Sequence, residues 1–182
     1  MAQYYAGVSI PHATYAQFKA ATLSNSYDYD GYYGNQCWDF VQELYYQYGL
    51  ILYTKPGGGG AADCWLISRN QNARGPFILV TGKENIKKGD VLVFNRNNLS
   101  TTGHIGIADE DYHGNTIKLL NQNPYLYGQW GSVHVDNWNL TDFLGIFRNT
   151  NWQTTPPTPP TPTQTKKKKK FPWPIAWNYW YN

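Results

Sequence analysis

The stretch DYDGYYGNQCWDF, Asp28 to Phe40, sets three carboxylates and one thiol within thirteen residues. It places a ligand set for a hard cation beside a soft nucleophile. With Asp28 as position 1, carboxylates fall at positions 1, 3 and 12 (Asp28, Asp30 and Asp39), and the backbone carbonyls of Tyr32 and Gly34 fall at positions 5 and 7. Alternate oxygen donors closed by a carboxylate at position 12 suit calcium, which takes roughly six to eight oxygens around a tight turn. The glycine stands at position 4 and not 6, so this is not the standard EF-hand loop. The same aspartates equally suit a turn at Asp28 and Asp30 and a helix-capping role for Asp39. Spacing alone leaves both readings open.

Cys37 follows that loop directly. From it, CWDFVQELYYQYGL places Phe40, Val41, Leu44, Tyr45 and Tyr48 at helical spacing, with Gly49 as a stop. Cys37 is therefore expected at a helix N-terminus, where the macrodipole favours thiolate over thiol. A nucleophilic thiolate needs a base and a group to orient that base. Of the four histidines, His113 falls in a turn (DYHGN) and His134 in a short strand (SVHV), where it reads as an ordinary surface-facing residue. His12 carries no such signal. His104 opens HIGIAD, with the small residues Gly106 and Ala108 on its side of the strand.

The next strand, TIKLLNQN, ends in amides that alternate, Asn121 and Asn123 sharing a face with Leu119. Amides closing an apolar strand need partners. Asn121 is placed to accept the Nδ1–H of His104, a Cys–His–Asn arrangement of the papain type. Singly, each residue has a plainer reading: a small buried thiol, amides that merely end a strand. The order of Cys on a helix, His on a strand and amide on the next strand favours the catalytic reading.

The elements that must position these groups change character along the chain. Thr14 to Ser24 reads as a short helix, and KPGGGGAADCWLIS as a flexible loop running into a second short helix after the Cys37 helix. From Phe77 onward FILV, DVLVF, HIGIAD, TIKLLNQN, SVHV and FLGIFR are short strands separated by turn residues. Helices first and an antiparallel sheet afterwards make an α+β fold. The domain is expected over residues 1–150, a Pro/Thr-rich linker over 151–165, and a Lys-rich and aromatic tail over 166–182.

Composition narrows the function classes. Of the 182 residues 17% are aromatic and only 15% charged, and flat aromatic faces suit sugar or interface contacts as well as a core. The net charge of +3 comes from the run Lys166 to Lys170, outside which the chain is slightly acidic. A nucleic-acid-binding globular face is thus not indicated. Two cysteines make no disulfide framework, although a single Cys37–Cys64 bridge is open. The N-terminus lacks a secretory signal pattern, and no stretch has the length of a membrane span. The lysine run suits an anionic polymer or lipid headgroups. Trp173, Trp177 and Trp180 behind it suit an interface or sugar stacking.

DYDGYYGNQCWDF, the Gly-Asp turn of IKKGDVLVF, GHIGIA and LLNQNP together resemble the CHAP family of cysteine peptidoglycan hydrolases, especially those of phages infecting Gram-positive bacteria. The resemblance spans about residues 25 to 148. It implies a papain-like fold with N-terminal helices packed on an antiparallel sheet, hydrolysis of an amide bond of peptidoglycan (muramoyl–alanine amidase or endopeptidase), and the roles of nucleophile for Cys37, base for His104, orienting amide for Asn121 and helper for Asn123. Gln36 and the Cys37 backbone N–H are the implied oxyanion donors. Ca²⁺ is the implied ion, on Asp28, Asp30, Tyr32, Gly34 and Asp39. Many relatives carry glutamate where this chain has Asn121, and an amide cannot offset an imidazolium charge. The resemblance places such a protein in the host cytoplasm until release through a holin pore, or in the phage tail. A tail or wall-binding module without turnover is the rival reading, and docking onto another virion protein is a further reading of the C-terminal segment.

Overall fold

The computed structural model describes residues 11–97, 100–123 and 131–152. Helix α1 (Tyr15–Thr22) begins at Thr14, whose hydroxyl accepts the Gln17 N–H at 3.2 Å. Its buried Tyr15 and Phe18 meet the indole of Trp152 at 5.7 and 5.3 Å between ring centroids. Trp152 is the last described residue and its Nε1 donates to the His12 carbonyl. Helix α2 (Cys37–Tyr46) buries the stripe Phe40, Val41, Leu44 and Tyr45 that its periodicity announced.

Where one short helix was expected after the glycine run, there are two single turns, α3 (Asp63–Leu66) and α4 (Arg69–Asn72). The buried Asn72 explains the break. Its amide donates to the Cys64 carbonyl at 3.0 Å, taking an acceptor that a continuous helix would use. Cys64 is a free thiol buried in the core, and Cys37 is also free, so no bridge joins them.

Six strands follow: β1 (Phe77–Val80), β2 (Val91–Phe94), β3 (His104–Ala108), β4 (Thr116–Asn121), β5 (His134–Asn139) and β6 (Phe143–Asn149). They form one antiparallel sheet in the order β1-β6-β2-β3-β4-β5. Both faces of its centre are covered. Val91, Val93, Ile105, Ile107, Leu120 and Phe147 pack with α1 and α2, while Leu92, Ala108, Ile117, Leu119 and Ile146 form a second cluster with Ile86 and Leu140. That two-sided burial is why β2 and β3 read as apolar runs.

The Gly-Asp turn before β2 is structural. Asp90, wholly buried, accepts the Lys87 N–H and a two-pronged pair from Arg148, Nε at 2.9 Å and Nη2 at 2.8 Å. The α+β architecture agrees with the sequence reading. From residue 153 the linker and the tail lie outside the described residues. Among the described residues no helix is long and apolar enough to cross a membrane.

Candidate active site

The ladder between β3 and β4 lasts for two pairs, Ile107 with Leu120 and Ala108 with Leu119. Beyond it the strands part, and side chains bridge the opening. His104 Nε2 lies 3.1 Å from Asn121 Oδ1. The expected partnership is therefore present, but through Nε2 and not Nδ1, which leaves Nδ1 free for a nucleophile. Asn121 is itself fixed, because its Nδ2 donates to the Leu119 carbonyl at 3.0 Å. Gly106, beside His104, is needed for close approach: a Cβ there would stand 2.8 Å from the Leu119 side chain.

Aromatic rings wall the imidazole. Trp138 stacks on it at 4.3 Å with 19° between planes, and Phe94 lies at 6.5 Å. Burial holds the His104 pKa down at about 4, against the Asn121 hydrogen bond and the Asp136 charge that pull it up, while His134 lowers it further. At neutral pH the ring is uncharged and able to take a proton.

Cys37 opens α2, and α2 packs across β3. Burial pushes its thiol up to about 11, opposed by hydrogen bonds from the backbone of Ile105, Trp38 and Cys37 itself and reinforced by the Asp39 charge. The Ile105 contact puts the sulfur one residue along the chain from His104. Desolvation thus opposes the N-terminal amides, which favour the thiolate. Gln36 directs its Nε2 to the Tyr32 carbonyl at 2.9 Å, committing one of its two N–H groups to the loop. Asn123 lies past the end of β4 at φ +47°. It does not continue the alternation that placed it on one face with Asn121 and Leu119.

The three aspartates do converge. Single carboxylate oxygens of Asp28, Asp30 and Asp39 lie within 4.8 Å of one another. Each also organises backbone: Asp28 accepts the Gly31 N–H, Asp30 the Tyr32 N–H, and Asp39 the Tyr29 and Gln36 N–H groups, all at 2.8–2.9 Å. The turn-and-cap reading and the clustered-ligand reading are therefore realised in the same residues. Asp39 is buried, and burial raises its pKa to about 7, with the Asp30 and Asp28 charges adding to the rise against its two N–H donors. Three carboxylates at that separation repel, and a cation would relieve them. Gly34 is buried within the loop, and the Tyr32 carbonyl retains a lone pair beside its Gln36 contact.

Several groups at the site escaped the sequence reading. Gln122 is wholly buried, accepts the Tyr27 N–H, and donates to the carbonyls of Tyr27 and Gln36 at 2.7 and 2.9 Å. It ties the aspartate loop and the start of α2 to the end of β4. His134, taken as a surface residue, pairs with Asp136 at 2.7 Å. The alternation of HVDNW gave the available signal, since it puts His134, Asp136 and Trp138 on one face of β5, opposite Asn121, Leu119 and Ile117.

The chain matches the model of the CHAP domain family over residues 26–123, which hold Cys37, His104, Asn121 and the aspartate loop. Over 112 residues, 61% of its length, it is 30% identical to the D-alanyl-L-alanine endopeptidase of Streptococcus phage B30, and spans 25% of that protein. Its fold is similar to the crystal structure of the wild type endolysin LysIME-EF1, with a TM-score of 0.54 and 23% identity over 74% of this chain and 62% of that one. With more than half of its length under the family model, the chain belongs to the CHAP domain family.

Proposed function

We propose that the protein hydrolyses an amide bond of bacterial peptidoglycan as a phage lysin, with Cys37 as nucleophile and His104 as general base. The observation that carries this is the buried imidazole fixed through Nε2 by Asn121, beside the strand residue whose backbone touches the Cys37 sulfur. Both groups rest uncharged, so proton transfer from sulfur to His104 Nδ1 accompanies attack on the carbonyl carbon. The Cys37 backbone N–H and the uncommitted Gln36 N–H receive the oxyanion. His104 returns the proton to the leaving amine, then takes one from the water that cleaves the thioester and regenerates the thiol. Asn123 helps to position the ring.

The B30 relative's name supports a peptide bond between alanines as the first bond to look for, with the muramoyl–alanine amide as the second. The convergent carboxylates of Asp28, Asp30 and Asp39, with the Tyr32 and Gly34 carbonyls, fit Ca²⁺. The bound ion would supply charge neutralisation and hold the loop, with no part in bond cleavage. The protein reaches the wall from the host cytoplasm through a holin pore, or in the phage tail. Its Lys166–Lys170 run is attracted to teichoic acid or anionic headgroups.

The test is mass spectrometry of Gram-positive sacculi digested by wild type and Cys37→Ala, each with calcium and with chelator. New termini with wild type alone establish the enzyme and name the bond. Their absence across sacculi from several hosts would leave a binding or structural module.

A further inference from the structure

We propose that Asp136, held by His134, is the positioning carboxylate of the site, supplying from β5 the negative charge that Asn121 cannot. The inference rests on the hydrolase reading and concerns how its base is tuned. An imidazolium forming on His104 stands in a desolvated pocket, where an amide partner orients the ring but leaves its charge unbalanced. Behind that amide stands one carboxylate. Asn121 presents Oδ1 to His104 at 3.1 Å and turns Nδ2 toward Asp136 Oδ2 at 3.5 Å. The amide thus lies with its dipole aligned between imidazole and carboxylate.

Asp136 is fixed in turn by His134, whose Nε2 reaches Asp136 Oδ2 at 2.7 Å while its Nδ1 faces the Ser132 carbonyl at 2.7 Å. The His134 ring is thus held from both sides, by Asp136 Oδ2 and by the Ser132 carbonyl. The pair is about one-third exposed, Asp136 at 34% and His134 at 38%. It therefore communicates with solvent while His104 does not.

Among the described residues, the charged groups that act on His104 are Asp136 and His134 from β5, while α2 packs across its strand. Phe94, Trp138 and Asn121 lie against the ring and carry no charge. The two β5 groups act on His104 with opposite sign, Asp136 favouring its protonated form and His134 opposing it.

Opposite signs give a signature that a merely structural role lacks. Imidazole NMR of folded wild type, Asp136→Asn and His134→Gln reads the His104 titration without turnover. Asp136→Asn is expected to move the His104 midpoint down by about half a pH unit, and His134→Gln to move it up. In sacculus digestion the acid limb of kcat/KM should follow the same directions, with kcat of Asp136→Asn down about tenfold, KM little changed, and partial rescue by Asp136→Glu. Midpoints that stay put, or move together, in folded variants overturn the proposal. Should Asp136→Asn fail to fold, the His134→Gln midpoint decides it alone, rising if the pair acts on His104. Divergent midpoints in a protein that releases no wall fragments would refute the hydrolase reading and leave the electrostatic link standing.

Discussion

His104 and Cys37 stand in regions built by opposite means. His104 heads a strand buried at every residue, and its partner Asn121 ends a strand zipped to β5 over six pairs. Cys37 follows a loop in which Gly31, Tyr33 and Gly34 take left-handed backbone at φ +69°, +58° and +67°, with Tyr32 and Tyr33 turned to solvent. Ladder hydrogen bonds place the base. Side-chain carboxylates and one glutamine place the approach to Cys37. His104 is preorganised by the sheet, whereas the loop before Cys37 is held by groups that repel one another, so it should respond to ions and single substitutions that leave the sheet side untouched.

The largest expected effect separates chemistry from scaffold. Cys37→Ala should lower release of wall termini by roughly a thousandfold or more. Its thermal unfolding midpoint should stay close to that of wild type, because the half-buried thiol contributes little packing. A variant that retains turnover would displace Cys37 from its role.

Gln122→Ala should cut the tie between the two regions. It leaves the Tyr27 N–H and the carbonyls of Tyr27 and Gln36 without their buried partner, a cost of about 2–3 kcal/mol. Urea unfolding measures that loss, and hydrogen exchange at the Tyr27 amide should accelerate far more than exchange within β4. Equal acceleration in both would show that the loop is not a separate unit.

A smaller effect isolates charge. Asp30 is exposed, and its Oδ1 accepts the Tyr32 N–H, a bond that Asp30→Asn can keep. The substitution should therefore weaken calcium binding, read by calorimetry, by about tenfold while apo-protein stability holds or rises as repulsion among the carboxylates falls. Chelation of wild type should lower its activity, and the variant should respond less. Calcium affinity unchanged by Asp30→Asn would remove this residue from the ligand set.

The same contrast marks what the sequence could disclose. The stripe of α2, the apolar runs of β2 and β3 and the order of Cys37, His104 and Asn121 were legible because period and burial repeat along a strand or helix. Which imidazole nitrogen Asn121 holds was not, since that depends on where the β3–β4 ladder opens. Asn123 was misplaced because the strand stops at Asn121. His134 and Asp136 were overlooked for a related reason: a half-exposed pair looks like surface until the register sets His134 opposite Asn121. The break between α3 and α4 depends on the Asn72 side chain, at the end of α4, bonding back to the Cys64 carbonyl, which no periodic pattern announces.

The smallest expected effect tests the sheet side through pH. Burial holds the His104 pKa at about 4, below the ordinary 6.5, so the unfolded chain binds this proton more readily than the native one. Stability from this source is present in full above about pH 6.5 and drains away as pH falls toward 4. Between pH 6.5 and 5.5 the loss amounts to about 1 kcal/mol. Urea midpoints of wild type and His104→Gln across that interval measure it, since the variant has no proton to take up and its stability should fall less steeply by that amount. Parallel slopes would mean that the native ring titrates like a solvated one, and that the sheet does not seal the base as its burial and the stacked Trp138 require.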